Sequence, residues 1–221
     1  MISSGLCSKC YTQCSRCYSP GQRLTAPTHR PRETVIAKDP QRRAAWTEVA
    51  TDYVLEHGLI GLSLRPLAAE LGTSDRMLLY HFGSKDELVA DVLRTSNDRG
   101  VAQIDALAPS TDLRAAVGDL WAAVQSEPAD RCTRIYVEAS ALGLFGREPY
   151  ASVVRRANAL WTAALVGHLT RSGVTGPLAK RAAELIDAAF MGFQLDLPLD
   201  VDPDARARSV ADLADAVAAL A

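Results

Sequence analysis

The stretch that decides the fold is Leu64–Leu88, which reads LRPLAAELGTSDRMLLYHFGSKDEL. Two short runs with helical spacing of apolar residues are separated by Gly72-Thr73. Ser63 and Ser74 stand where N-caps are needed. Two short helices joined by such a turn are typical of a helix-turn-helix, in which the second helix presents its N-terminal side chains to the DNA major groove.

The second of these helices is rich in side chains suited to a nucleic acid. Hydroxyl, guanidinium, phenol and imidazole groups are supplied by Thr73, Ser74, Arg76, Tyr80 and His81. Met77, Leu78 and Phe82 are expected to pack behind them. The alternative is a helix-turn-helix that serves only as a packing unit.

The same stretch resembles the TetR family of bacterial transcriptional repressors. The resemblance covers residues 41 to about 93 and rests on Leu-Ala, Leu-Gly, Ser and Phe-x-Ser-Lys-x-x-Leu elements in the family's order and spacing. It implies a homodimer that reads a partly palindromic operator through the third helix of each subunit. It also implies a ligand cavity in the C-terminal domain and a dimer interface made by the last two long helices. Carried over by position, the DNA-contact candidates are Arg65, Thr73, Ser74, Arg76, Tyr80, His81 and Lys85.

Two positions depart from this pattern or complicate it. Leu79 stands where the family usually has Tyr, so the phosphate contact of that Tyr is either taken over by Tyr80 or lost. Asp75 suits the positive end of a helix dipole but repels phosphate. Its carboxylate therefore either faces a cytosine amino group or points away from DNA.

Beyond this motif, apolar residues recur at helical intervals and no segment shows the alternation typical of a strand. We therefore predict an all-α fold of about nine helices. The first opens at Asp39-Pro40 and ends at Gly58. We predict three segments: a leader over 1–38, a three-helix DNA-binding domain over 39–83, and a helical effector-binding and dimerisation domain over 84–221. Later helix limits are expected at Ser84 with Glu87, before Pro109, before Pro128, between Gly146 and Pro149, at Gly173, from Pro177 to about Leu195, and from Asp202-Pro203 toward Leu220.

Aromatic residues in helices five to seven predict a small-molecule pocket. Its candidate walls are Trp121, Tyr136, Phe145, Trp161 and His168, with Glu138, Arg134 and Asn158 as polar anchors. The alternative is that these aromatic residues form an ordinary filled core. Helices eight and nine carry small-residue-rich apolar stripes that suit a dimer seam, although helix nine could instead pack only on its own subunit.

Charge is distributed unevenly along the 221 residues. The net charge of −2 excludes a uniformly basic nucleic-acid wrapper, but residues 1–43 carry a net +6 and the remainder −8. A basic leader favours a polyanion contact near the N-terminus, the alternative being a solvated tail. In the first case a minor-groove arm would comprise Arg23, Arg30, Arg32 and Lys38, and phosphate contacts at the first helix would come from Arg42 and Arg43.

Four of the five cysteines lie in the leader, which we predict to be flexible because it holds few periodic apolar residues. Their spacing allows a zinc or iron–sulfur site, but the short central spacer favours adventitious thiols. A third alternative is that translation starts later, near Val35. We expect no metal and no cofactor. The four residues are Cys7, Cys10, Cys14 and Cys17.

The sequence thus predicts a DNA-binding regulator, in the first instance a repressor released from its operator by a small-molecule effector. The alternatives are a constitutive DNA-binding protein without a ligand and, less favoured, a helical enzyme. The four histidines are scattered and no metalloprotease, nucleophile-elbow or phosphate-loop motif occurs, so we do not expect an enzyme. No apolar run approaches the ~18 to 20 residues of a membrane span, and we expect a cytoplasmic protein without a membrane partner.

Overall fold

The computed structural model describes residues 39–196 and 202–220, and these belong to one compact unit. Every regular element in the described ranges is an α-helix, which confirms the predicted all-α fold of about nine helices. In chain order they are α1 (Pro40–His57), α2 (Leu64–Glu70), α3 (Asp75–Phe82), α4 (Lys85–Asp105), α5 (Leu113–Val124), α6 (Glu127–Leu144), α7 (Tyr150–Arg171), α8 (Pro177–Asp196) and α9 (Pro203–Ala218).

Side-chain caps set most of the predicted helix starts. The Asp39 carboxylate accepts hydrogen bonds from the backbone N–H groups of Gln41 and Arg42 at 3.0 and 3.3 Å. Ser74 and Ser84 do the same for α3 and α4, because each hydroxyl accepts from the N–H three residues ahead, at 3.3 and 3.0 Å. Ser63 lies at the N-cap of α2 but makes no side-chain cap bond, so that part of the prediction is wrong.

Two apolar clusters build the interior. The first joins α1 to α3 with the N-terminal half of α4, and its fully buried centre includes Leu67, Leu78 and Leu88. The second joins α5, α8 and α9 with the distal parts of α4 and α7. Because α4 runs through both clusters and α6 and α7 also contribute to the first, the division between residues 83 and 84 stays a prediction.

Ion pairs fix how α1 lies on α4. Arg99 of α4 reaches both Glu48 and Asp52 of α1 at 2.6 Å. Arg43 of α1 bonds to Asp91 of α4 through Nε at 2.8 Å and a terminal nitrogen at 2.6 Å. Each exposed pair contributes little stability on its own. Together they set the orientation of the first three helices on α4.

The predicted interface stripes of α8 and α9 are used largely within the subunit. Val210, Ala214 and Val217 of α9 are buried in the second cluster, as the alternative for helix nine had it. On α8, Ile186 is buried in the same cluster while Leu185 is 40% exposed. Within the described ranges, no helix combines the length and apolar character needed to cross a bilayer. The predictions for the leader, with its four cysteines and its basic arm, fall outside those ranges.

Candidate nucleic-acid interface and internal cavity

The turn between α2 and α3 fixes the angle between the two short helices. Gly72 adopts a positive φ of 62°, a conformation that residues with a side chain rarely adopt. The N–H of Thr73 then donates to the carbonyl of Ala68 at 2.9 Å and closes the turn. Leu67 on α2 and Leu78 on α3 are both fully buried in the first cluster. One face of α3 is thereby held against the protein and the opposite face is left outside.

The outer face of α3 carries four exposed side chains, those of Asp75, Arg76, Leu79 and Tyr80. Arg76 and Tyr80 lie one helical turn apart and therefore share a face. The exposed fractions of Leu79 and Tyr80 are 41% and 37%. Leu79 was not among the predicted contacts, yet its spacing from Arg76 places it on the same surface.

Asp75 is turned toward its own helix. Its Oδ1 accepts a hydrogen bond from the backbone N–H of Arg76 at 2.8 Å. A carboxylate at this position complements the exposed N–H groups and the positive end of the helix dipole. Two alternatives were given for Asp75, a contact with a cytosine amino group or a carboxylate turned away from DNA. The structure favours the second, because the carboxylate is bonded to the backbone at the start of α3.

His81 does not lie on the outer face, contrary to the prediction that it contacts DNA. Its side chain is 1% exposed and meets Trp46 edge to face with ring centroids 4.9 Å apart. Tyr80 packs on its other side at 5.2 Å. In the part of the chain that the structure describes, neither ring nitrogen has a hydrogen-bond partner. His81 therefore anchors α3 to α1 and cannot reach a base.

The basic candidates differ in how far they are engaged within the chain. The Arg43 guanidinium pairs with Asp91 and lies 5.2 Å from the Phe82 ring centroid, so its place argues for positioning α1 rather than contacting DNA. Lys85 is exposed and donates one hydrogen bond to the carbonyl of Leu62, which leaves two ammonium hydrogens. Arg42 and Arg65 are exposed. Thr73 is half-buried, and the exposed Ser74 uses its hydroxyl as the cap of α3.

A cavity of about 90 Å³ lies between α4, α6, α7 and α8, with the end of α5 also in its wall. This volume exceeds several times the ~10 to 15 Å³ that one water needs. The walls are Leu93, Ser96, Asn97, Gly100, Gln103, Ile104, Ala123, Val124, Ala129, Cys132, Thr133, Ile135, Tyr136, Val153, Val154, Ala157, Asn158, Trp161, Asp187, Phe190, Met191 and Gln194. They are mainly apolar, with a few polar groups, which is the usual make-up of a small-molecule site.

Two of the five predicted pocket residues line this cavity, Tyr136 and Trp161, together with the predicted anchor Asn158. The other three lie elsewhere. Trp121 is buried in the second cluster with its ring centroid 5.0 Å from that of Phe190, and Phe145 is 85% exposed just after α6. His168 is buried on α7 near the hydroxyl of Ser110.

Polar groups in the cavity are arranged around Asp187. The indole N–H of Trp161 donates to Asp187 Oδ1 at 3.0 Å, and the phenol of Tyr136 donates to Asn158 Oδ1 at 2.5 Å. Burial raises the pKa of Asp187, and the Trp161 bond opposes that rise. Burial also raises the pKa of Tyr136, with a further contribution from the negative charge of Asp187. The carboxylate therefore lies in a medium that disfavours an unpaired charge.

Glu138 links α6 to the loop between α1 and α2. Its Oε2 accepts hydrogen bonds from the backbone N–H groups of Leu59 and Ile60 at 2.8 and 2.5 Å. Gly58, which ends α1 with a φ of 84°, lies so close that a Cβ there would be 3.1 Å from Glu138 Oε1. Glu138 does not line the cavity, contrary to the prediction that it is one of the polar anchors. The structure instead makes it a clamp between α6, which lines the cavity, and the helix-turn-helix.

The neighbourhood of His168 does not resemble a hydrolase triad. Ser110 Oγ donates to Asp119 Oδ2 at 2.6 Å and lies 3.2 Å from His168 Nε2. In a triad the carboxylate would orient the imidazole, whereas here it binds the serine. Burial, with Arg171 adding to it, lowers the pKa of His168. Within the described ranges, no group of three or more His, Cys, Asp or Glu side chains is placed to hold a metal ion.

Residues 47–92, from the middle of α1 into α4, match the sequence model of the bacterial regulatory proteins of the tetR family. The matched segment contains the whole helix-turn-helix, including Gly72 and the outer face of α3. The chain therefore carries a helix-turn-helix segment of the tetR type. No curated protein matches it.

Solved structures share the fold of this chain over almost their whole length. A transcriptional regulator from Rhodococcus sp. Rha1 aligns with a TM-score of 0.64 at 24% identity, over 81% of this chain and 95% of that one. A TetR transcription regulator from Haloarcula marismortui gives 0.61 at 19% identity, over 81% and 97%. The multidrug binding protein EbrR, complexed with imidazole, gives 0.58 at 23% identity, over 82% and 92%. These likenesses, each below 25% identity, show that the chain shares the fold of these regulators.

Proposed function

We propose that this chain is a TetR-family regulator, which represses transcription as a homodimer and leaves a partly palindromic operator when a small molecule occupies the cavity. The observation that carries the proposal is the course of α4. This helix begins at Lys85, directly after the recognition helix α3, and farther along it lines the cavity from Leu93 to Ile104. One rigid helix therefore connects the ligand site with the recognition helix α3 and the side chains around it, which together form the reading head.

The effector acts through the spacing of the two recognition helices. Two α3 helices of a dimer must enter successive major grooves about 34 to 36 Å apart. A ligand that fits better when α4 is displaced selects the state in which this spacing is lost. The Glu138 clamp offers a second connection, because α6 also lines the cavity and holds the loop after α1.

Each exposed side chain on the reading head has a proposed partner. Arg76 is the candidate for a base edge, where a guanidinium can make two hydrogen bonds to guanine. Tyr80, Lys85, Arg42 and Arg65 are candidates for phosphates. Thr73 and Ser74 remain candidates at the start of α3. Leu79 cannot replace a tyrosine hydroxyl, and we assign it to a thymine methyl group, the apolar feature of the major groove.

The proposed dimer uses the outer side of α8. The exposed residues Leu185, Ala188, Gly192 and Leu195 recur at intervals of three and four and so form one stripe. Leu185 and Leu195 are 40% and 53% exposed. Small residues between them allow a second helix to approach closely. The inner stripe of α9 is buried within the subunit, so any contribution of α9 comes from its opposite side, with Ala207 and Ala211.

A relative in the same fold supports the ligand-responsive form of the proposal. EbrR is a multidrug binding protein and was solved with imidazole bound. In a constitutive DNA-binding protein without a ligand, the region between these helices would be filled by side chains. The presence of the cavity favours a regulator that responds to a ligand. The cytoplasm, where a bacterial operator is accessible, is the proposed place of action.

The test is fluorescence anisotropy of the purified chain on DNA from immediately upstream of its own gene, against scrambled DNA, over a salt series. We expect tight and sequence-selective binding by a species that sediments as a dimer. Leu185→Glu on the outer stripe of α8 should give monomers with weaker operator binding. A dimer that binds all DNA equally, or no DNA, would contradict the proposal.

A further inference from the structure

The internal cavity holds a single ionisable carboxyl and no basic side chain. Of the lining residues in the described part of the chain, Asp187 alone is acidic, and none is Lys, Arg or His. The other polar groups of the lining are amides, hydroxyls, a thiol and the Trp161 indole. The charge of Asp187 is therefore not neutralised by the walls.

The hydrogen bonding of Asp187 leaves one oxygen available. Trp161 Nε1 donates to Oδ1 at 3.0 Å, and the described residues give Oδ2 no partner. A buried carboxylate is normally paired with a cation or held by several donors, because an unpaired charge in an apolar medium is costly. Around the half-buried Asp187 a single neutral donor is present, and the residue lines the cavity. The missing partner is thus expected to come from the ligand.

The surrounding surface suits the rest of such a ligand. Trp161, Tyr136 and Phe190 place aromatic rings along the cavity, and aromatic faces attract cations as well as apolar groups. Tyr136 donates its hydroxyl hydrogen to Asn158, and the amides of Asn97, Gln103 and Gln194 add carbonyl oxygens to the lining. The lining thus offers a carboxylate, acceptor oxygens and ring faces together. Each of these favours an N–H-bearing cation over an anion.

We propose that the cavity selects small lipophilic cations, specifically protonated arylalkylamines whose ammonium group pairs with Asp187 Oδ2. This inference rests on the proposed function of the cavity as the effector site and names the chemical class of the effector. The cavity volume of about 90 Å³ favours a compact amine with one ring over a large polycyclic cation. No covalent step is involved.

Calorimetric titration of the full chain with three matched compounds tests the proposal. They are 2-phenylethylamine, 2-phenylethanol and phenylacetate, which share a ring and differ in the charge of the end group. We expect the wild-type chain to bind the amine at least tenfold more tightly than the alcohol, with phenylacetate weakest. An amine that binds no better than the alcohol or the acid overturns the proposal.

Variants locate the effect at Asp187. Asp187→Asn keeps an acceptor for Trp161 and should weaken the amine at least tenfold while changing the alcohol less than threefold. The exposed Asp212→Asn is the matched control and should change neither. Ala157→Leu, which fills part of the cavity, should weaken amine and alcohol alike. Equal loss of amine and alcohol in Asp187→Asn, or amine binding unchanged by either cavity variant, would overturn the assignment.

A DNA-release measurement separates this inference from the proposed function. Amine binding at Asp187 without any release of operator DNA would leave the cation site standing and contradict the effector role. Release of the operator by a neutral or anionic compound, with no amine binding, would keep the effector role and overturn the cation site.

Discussion

The exposed face of α3 concentrates the side chains that can read a base. Arg76 is its one cation, and the neighbouring Asp75 is committed to the helix start, so Asp75 does not neutralise the guanidinium by a direct ion pair. His81, which also carries suitable nitrogen atoms, is enclosed by Trp46 and Tyr80. Direct recognition by α3 therefore depends on Arg76, with Leu79 and Tyr80 beside it.

Replacing Arg76 with Ala should cost about 1 to 3 kcal/mol at the specific operator and relax the base preference at one position of each half-site. The reason is the loss of a guanidinium that donates two hydrogen bonds to one base edge. Anisotropy on the operator and on single-base variants measures both effects. Arg131→Ala on the exposed side of α6 is the control and should leave binding unchanged. A uniform weakening on every sequence would assign Arg76 to a phosphate.

Asp187 should lower the stability of the ligand-free chain. Burial raises the pKa of its carboxyl in the folded state, so the folded chain takes up this proton more readily than the unfolded chain. The ionised form therefore destabilises the fold above that pKa, and the effect fades as the pH falls through it. Asp187→Asn should raise the free energy of unfolding by about 1 kcal/mol at neutral pH, with a smaller gain in acid.

Urea unfolding at neutral and acidic pH measures this difference, with the exposed Asp212→Asn as the control. Lower stability of Asp187→Asn at neutral pH would show that the carboxylate has a stabilising partner. A carboxylate that destabilises the empty chain is explained if a ligand cation later pairs with it. Stability and ligand binding would then change in opposite directions in the same variant.

A contact between two helices gives a second connection between the cavity and the helix-turn-helix, beside the one through α4. The Glu138 carboxylate holds two consecutive N–H groups of the α1–α2 loop from α6. Leu59 is buried while Ile60 is 66% exposed, so water can replace the carboxylate at Ile60 more easily than at Leu59. The clamp is thus a partly buried contact between the cavity wall and the helix-turn-helix.

Glu138→Ala should lower the free energy of unfolding by about 1 to 3 kcal/mol, since the N–H of Leu59 loses its acceptor in a buried place. It should also weaken operator binding, because the loop after α1 is no longer held to α6. Glu138→Gln keeps a carbonyl acceptor and should lie close to wild type in both measurements. Urea unfolding and anisotropy provide them. Wild-type operator affinity in a folded Glu138→Ala chain would exclude the clamp from positioning.

The sequence predicted those parts of the helices that depend on neighbouring residues. Asp39, Ser74 and Ser84 cap the helices that follow them, and Gly58 ends α1, because capping is decided within four residues. The predicted end of helix five, before Pro128, is only approximately right. The structure ends α5 at Val124 and places Pro128 in the first turn of α6, where proline is tolerated.

The site was less predictable because periodicity indicates which side of a helix faces inward and not what it meets there. His81 has the composition of a DNA contact but faces Trp46 across α1. Asp187 stood outside the apolar stripe of α8 that was predicted as a dimer seam, and only the packing of α8 against α7 places it in the cavity wall. Phe145 shows the converse, an aromatic residue left exposed just beyond α6.

The two proposed ligands of the whole molecule act on one equilibrium. If an amine in the cavity weakens operator binding by some factor, the operator must weaken amine binding by the same factor. The net charge of residues 44–221 is −8, so long-range attraction to DNA depends on a small number of local cations. The basic residues before α1 and in its first turn are therefore expected to supply much of this attraction.

Removal of residues 1–38 should therefore reduce the salt dependence of DNA binding. The segment contains six Lys or Arg residues and one Glu, and each cation that neutralises a phosphate contributes about 0.9 to the slope of log affinity against log salt. If Arg23, Arg30, Arg32 and Lys38 follow the minor groove, the slope should fall by up to about 3 to 4. Anisotropy over a salt series measures it, and a full-length variant with these four residues changed to Gln separates charge from length. An equal slope in all three proteins would mean that the leader is a solvated tail, and that Arg42, Arg65 and Lys85 supply the phosphate contacts alone.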